Sequence, residues 1–155
     1  MAPWVDALRD VGVDATAVQL PRANATRAAE VFLSAMAASP GAALGGHSYG
    51  GRAASLAAAE SAPSALVLLS YPLHRPGRPE EVRTEHWPSI TCPTLLLSGD
   101  RDQFAQLPVL DREVSRLRHH ELVVYPGRRH GLLTVRDAAA ERIAMFLRNA
   151  GSVRA

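Results

Sequence analysis

The chain has 155 residues, enough for one domain and short for two, so a single domain over residues 1–155 is expected. Hydrophobic residues make up 47% and charged residues 21%, which sets disordered and collagen-like classes aside. The formal charge of +2 arises from Arg scattered along the chain, densest between Arg116 and Arg129, and lacks the concentrated patch that nucleic acid needs.

With aromatic residues at only 5%, the core has to be built from Val, Leu, Ile and Ala. The single cysteine, Cys92, cannot close an internal disulfide, and it precedes an apolar run. A buried, inert thiol in a reducing compartment is expected. No apolar stretch reaches the ~18 residues that span a bilayer, and no charged-then-apolar leader opens the chain. The expectation is a cytoplasmic, soluble protein with no membrane contact.

In chain order, a helix is predicted at Pro3–Val11 and a strand at Val13–Leu20, where apolar and polar residues alternate up to Pro21. A helix over Thr26–Ala38 places Ala28, Val31, Phe32, Ala35 and Met36 on one face. The small-residue strand Gly41–Gly46 leads into a helix at Tyr49–Glu60. Ala65–Leu69 is continuously apolar, as in a strand covered on both faces. Strand Thr94–Ser98, helix Leu107–Arg118, strand Glu121–Tyr125 and helix Leu133–Asn149 complete the pattern. This alternation predicts an α/β fold, a mainly parallel sheet of about five strands with helices on both faces. The connection Tyr71–Thr91 differs, carrying Pro72, Pro76, Pro79 and Pro88 with helical periodicity only around Pro79–Thr84. It leaves the C-terminal end of a strand, where open α/β sheets bind ligands.

The chemistry concentrates at Gly46-His47-Ser48-Tyr49-Gly50. A serine hydroxyl is a weak nucleophile and needs a base and a site for the developing oxyanion. In Gly-x-Ser-x-Gly the serine occupies a strained turn between strand and helix, and the glycines let the chain pack closely around it. Here a small-residue strand precedes Ser48 and an alanine-rich helix follows, so Ser48 is read as a nucleophile. The acid and then the histidine should follow in the chain. Gly99-Asp100-Arg101-Asp102 leaves one strand; Asp102 is the preferred acid, with Asp100 nearer the strand end and suited to bracing the loop. His130, after the last strand, has the position of the general base. His47 is expected to point into neighbouring packing, His119 and His120 to lie on the surface, and His74 and His86 either to line a pocket or to serve structure. No metal-ligand spacing such as His-Glu-x-x-His and no phosphate-binding glycine loop occurs, so neither metal nor cofactor is expected.

Together Gly45–Arg52, Tyr71-Pro72-Leu73-His74, Pro76–Pro79, Arg83–His86 and Gly99–Asp102 resemble the KANL3/Tex30-like branch of the α/β-hydrolase superfamily, a group related to dienelactone hydrolases. The likeness runs from the first strand to the last helix. It implies an α/β-hydrolase fold, a triad of Ser48, Asp102 and His130, and a substrate-side role for the Tyr71–His86 loop. Substrate contacts are then expected from Tyr71, His74, His86 and Phe104. Position 47, commonly Lys or Arg in that branch, is His here.

The family begins with further strands and a glycine loop that supplies an oxyanion amide, whereas this chain starts at the following helix. N-terminal strands are therefore expected to be missing. The strands at Val13 and before Ser48 then either pair directly or leave a gap. The Tyr49 amide remains as one oxyanion donor. The expected activity is esterase-like cleavage of a small-molecule ester, thioester or amide. A weakly active or non-catalytic interaction domain is the alternative. Strand edges left open would favour a homo-oligomer.

Overall fold

Short runs of Leu and Val set the architecture. In the computed structural model, which describes residues 2–152, they form four parallel strands: β1 (Leu44–His47), β2 (Leu66–Leu69), β3 (Thr94–Gly99) and β4 (His120–Tyr125). The sheet order is β1-β2-β3-β4, with Leu44 opposite Leu66, Leu66 opposite Thr94, and Thr94 opposite His120. Parallel neighbours need crossovers. These are helix α3 (Tyr49–Glu60), the long loop after β2, and α4 (Leu107–Glu113). Helices α1 (Ala2–Asp10) and α2 (Ala25–Ala38) precede the sheet and α5 (Arg136–Ser152) follows it.

Because strand side chains alternate, each apolar run feeds two cores. Leu66, Leu68 and Leu96 pack with Ala28, Phe32 and Ala53 on the α2/α3 side. Val67, Leu69, Leu95 and Leu97 pack with Trp4, Ile143 and Phe146 on the α1/α5 side. Each fully buried leucine contributes about 1.5–3 kcal/mol. Ala53, Ala54, Ala57 and Ala58 are wholly buried, and their small side chains let α3 sit close to both sheet and α2. Asn24 opens α2 with its side-chain oxygen accepting from the Arg27 N–H at 3.0 Å.

The expected first strand is the main correction to the sheet; the strand expected at Gly41–Gly46 also starts later, at Leu44, and ends at His47. Residues 13–20 carry no regular secondary structure; Val13, Ala15, Val18 and Leu20 are half-buried, but they form no ladder. A cavity of about 480 Å³, lined in part by Val13, Val18, Leu20, Phe32, Leu44 and Gly46, separates them from β1. A strand needs a partner about 4.8 Å away. With the cavity between them the two do not pair, and β1 becomes an edge strand. The segment is held instead by Arg9 Nε donating to the Ala15 carbonyl at 2.9 Å and Tyr49 OH donating to the Pro21 carbonyl at 2.6 Å.

Smaller differences lie at helix ends. The expected helix Leu107–Arg118 stops at Glu113 and tightens into a 3₁₀ turn at Val114–Arg116. The last helix starts at Arg136, after a 3₁₀ turn over Leu133–Val135, and runs to Ser152. Residues 79–84 form a turn and irregular chain rather than a helix, and the long loop contains one 3₁₀ turn at Trp87–Ser89. Cys92 is buried, as its apolar setting suggested. Among the described residues no helix is long and apolar enough to cross a membrane.

Candidate active site

Strand β1 and helix α3 meet at Ser48, which takes φ 51° and ψ −117°. A non-glycine residue at positive φ stores of order 1–3 kcal/mol of strain. The turn is held by close backbone packing. A Cβ at Gly46 would lie 2.3 Å from the Gly50 carbonyl carbon, and one at Gly51 would lie 2.8 Å from the Gly46 oxygen. The Arg52 N–H donates to the Ser48 carbonyl at 3.0 Å. The Tyr49 amide thus sits in the first turn of α3, where N–H groups have no intrahelical partner.

Three side chains from distant positions converge here. His130 Nε2 lies 2.7 Å from Ser48 Oγ. His130 Nδ1 lies 2.8 and 3.0 Å from the two Asp102 carboxylate oxygens. A carboxylate can only accept, so Nδ1 carries the proton and Nε2 is left as the acceptor for the Ser48 hydroxyl. Asp102 also accepts from the Phe104 N–H at 2.8 Å, and its side chain is wholly buried. The Phe104 ring lies against His130 with centroids 4.5 Å apart.

Glycine brings the acid and histidine loops together. A Cβ at Gly99 would come within 2.2 Å of the Arg128 carbonyl oxygen, and the Arg101 N–H donates to that same oxygen at 2.9 Å. Asp100 takes the bracing position, accepting from the Gly127 N–H at 2.7 Å. Of the two aspartates, Asp102 alone is bonded to His130.

The loop residues expected at the substrate side divide. Phe104 is brought to His130, but Tyr71 and His74 are buried and engaged elsewhere. Tyr71 OH donates to the Arg83 carbonyl at 2.6 Å, and burial pushes its phenol up to about 12. His74 Nδ1–H donates to the Arg75 carbonyl at 2.8 Å, while its Nε2 accepts from the Gln106 N–H at 3.1 Å. With both nitrogens engaged, His74 has no polar group to offer a substrate. Tyr71 closes the loop on itself and His74 ties it to the segment after β3, so both are engaged structurally where substrate contact was expected.

His86 ties the loop to α3. Ser55 Oγ donates to the Arg52 carbonyl at 2.8 Å, leaving its lone pairs to accept from His86 Nε2–H at 2.7 Å. Burial, reinforced by Arg52 and Arg116, lowers the His86 pKa to about 4. The folded state therefore favours neutral His86. Its contribution is complete above the ordinary value of 6.5 and is lost as pH falls toward 4. Allowing for solvent screening at its exposed part, the loss is about 2 kcal/mol. Urea unfolding at pH 7 and pH 5 should show a smaller loss of stability in His86→Gln than in the parent; equal losses would remove His86 as the cause.

His47, expected to point away into neighbouring packing, packs on His130 itself. His47 lies 3.2 Å through Nε2 from the His130 carbonyl, and the two rings are 5.5 Å apart. The available signal was strand alternation: His47 shares a sheet face with Gly45, opposite Leu69 and Val67. That is the face covered by α5, which follows the His130 loop. Among the described residues, no group of three or more His, Cys, Asp or Glu is arranged to hold a metal ion.

Known proteins place this geometry in context. A family model described as "Alpha/beta hydrolase domain" matches residues 17–151. A non-heme chloroperoxidase of Burkholderia pyrrocinia is 42% identical over 59 residues, covering 36% of this chain and 20% of that protein. A predicted CIB-like hydrolase from Thermoplasma acidophilum superposes with a TM-score of 0.66 at 18% identity, covering 83% of this chain and 61% of that one. A thermophilic esterase from Thermogutta terrifontis gives 0.72 at 16% identity, covering 95% and 85%. At these identities the two structures show a shared fold. The chain spans less than two thirds of the chloroperoxidase and of the Thermoplasma hydrolase.

Proposed function

We propose that this chain, which belongs to the alpha/beta hydrolase family, is a serine hydrolase cleaving a small ester, thioester or amide through an acyl-enzyme. The observation that carries this reading is the continuous hydrogen-bond path from Ser48 Oγ through His130 to Asp102, at 2.7 and 2.8 Å. Within the superfamily, the Tyr71–His74 and Arg83–His86 segments favour the KANL3/Tex30-like branch.

Ser48 Oγ attacks the carbonyl carbon as its proton passes to His130 Nε2. Asp102 stabilises the imidazolium formed and keeps the ring in the required tautomer. The carbonyl electron pair moves onto oxygen, toward the Tyr49 amide at the start of α3, where the helix dipole also favours negative charge. When the tetrahedral adduct collapses, the bond to the leaving group breaks and His130 Nε2–H protonates the departing alcohol, thiol or amine. Water then attacks the acyl-enzyme, giving its proton to His130, and Ser48 is regenerated with release of the acid.

A panel of p-nitrophenyl esters of increasing acyl length tests the proposal. Turnover is expected on the short members, with a pre-steady-state burst of p-nitrophenol when deacylation is slow. Folded protein that turns over none of them while still reacting covalently at Ser48 would favour the non-catalytic binding domain instead.

A further inference from the structure

We infer that His47 is a positioning residue for the base: its Nε2–H and ring hold His130 where Nε2 faces Ser48 Oγ. This rests on the serine-hydrolase reading and adds a residue to it. The His130 carbonyl can only accept, so the 3.2 Å contact requires the proton on His47 Nε2. The two rings pack with centroids 5.5 Å apart at 51°, and Phe104 closes on His130 from 4.5 Å.

The need for such an anchor follows from where His130 sits. It lies in a loop between β4 and α5, with Gly127 at φ 72° before it and Gly131 after it. No strand ladder or helix fixes its backbone. The bonds from Asp100 to Gly127 and from Arg101 to Arg128 hold the start of the loop, two or more residues before the histidine. Asp102 fixes the ring through Nδ1, and His47 fixes the backbone carbonyl. His47 also directly precedes Ser48. Nucleophile and anchor therefore move together as neighbours at the end of β1.

Electrostatics agree with that role. Burial lowers the His47 pKa, and the neighbouring His130 lowers it further, while the bond to the His130 carbonyl and the Asp102 charge oppose. His47 stays neutral at pH 7 and does not repel the imidazolium that His130 becomes during acylation. A fixed cation in the same place would.

The test compares His47→Phe, which keeps a ring and loses the N–H, with His47→Gln, whose amide keeps a donor. His47→Phe is expected to lose about 10–100-fold in kcat with little change in KM, since displacement of a reacting group by about 1 Å can cost 10²-fold. His47→Gln should recover most of that loss. The second readout needs no turnover: in a Ser48→Ala background, the deshielded NMR resonance of the His130 Nδ1 proton held by Asp102 should broaden or disappear with His47→Phe. It should persist with His47→Gln. A His47→Phe protein with parental kcat and an unchanged resonance overturns the inference. If the parent itself hydrolyses nothing, the hydrolase reading fails, and the resonance comparison still decides the role of His47.

Discussion

Replacing Ser48 with alanine is expected to lower ester turnover about 10⁴–10⁶-fold, because removing the nucleophile of a serine triad costs nearly as much as removing the whole triad. His130→Ala should produce a loss of the same order, and the double variant should be little worse than either alone. That non-additivity separates residues acting as one unit from residues that each bind substrate a little. Steady-state kinetics on p-nitrophenyl acetate checks it; losses that multiply would mean the two side chains act independently. The same position carries a stability signature. Ser48 sits at φ 51°, which glycine adopts without penalty. Ser48→Gly is therefore expected to be inactive yet more stable, by up to about 1–3 kcal/mol of released strain. A destabilised Ser48→Gly protein would show that the turn is not strained at that residue.

The second large effect belongs to the glycines that bring backbones together. A Cβ at Gly46 would sit 2.3 Å from Gly50 carbon, 2.5 Å from Gly50 oxygen and 2.5 Å from Gly51 nitrogen. All three are backbone atoms, so no rotamer change relieves the clash and the start of α3 must move. Gly46→Ala is expected to cost about 3 kcal/mol or more, at or beyond the upper end of overpacking losses. Gly99→Ala forces a methyl to within 2.2 Å of Arg128 oxygen and 2.7 Å of Arg129 oxygen. It pushes the loop carrying His130 away from the strand end that leads to Asp102, so kcat should fall about 10²-fold or more. Gly151→Ala serves as the control, since nothing lies within 4 Å of its added methyl. That variant should stay within about 0.5 kcal/mol of the parent. Urea denaturation ranks the three; Gly46→Ala as stable as Gly151→Ala would contradict the close packing of the elbow.

What sequence could reveal tracks what is local. Helix α3 falls at Tyr49–Glu60, as read from the motif and its alanines, because elbow and helix are encoded in one contiguous stretch. The apolar runs at Ala65–Leu69 and Thr94–Ser98 became β2 and β3 because each buries side chains on both faces. Val13–Leu20 carries an equally good alternating pattern and stays outside the sheet, because a strand is completed by its neighbour. Its own residues cannot specify that β1 lies across a cavity.

The site shows the same division. The order Ser48, Asp102, His130 was legible from elements and motif, and the structure gathers these three side chains within hydrogen-bond reach. Tyr71 and His74 looked like pocket residues because they stand on a proline-rich loop, a setting that normally faces solvent. Both side chains are instead buried by tertiary closure, Tyr71 through a bond to Arg83 across the same loop and His74 through one to Gln106, which no local pattern announces. The contact of His47 with His130 spans 83 residues and depends on the same tertiary closure.

The most direct measurement is the site and stoichiometry of covalent reaction with a fluorophosphonate, read by intact mass and peptide mapping. One phosphonyl group per chain is expected, on Ser48, with the rate of labelling falling at least about 10²-fold in His130→Ala, in line with the loss of a positioned general base. Folded protein that takes up no label, or that is labelled elsewhere while Ser48 stays unmodified, would contradict it.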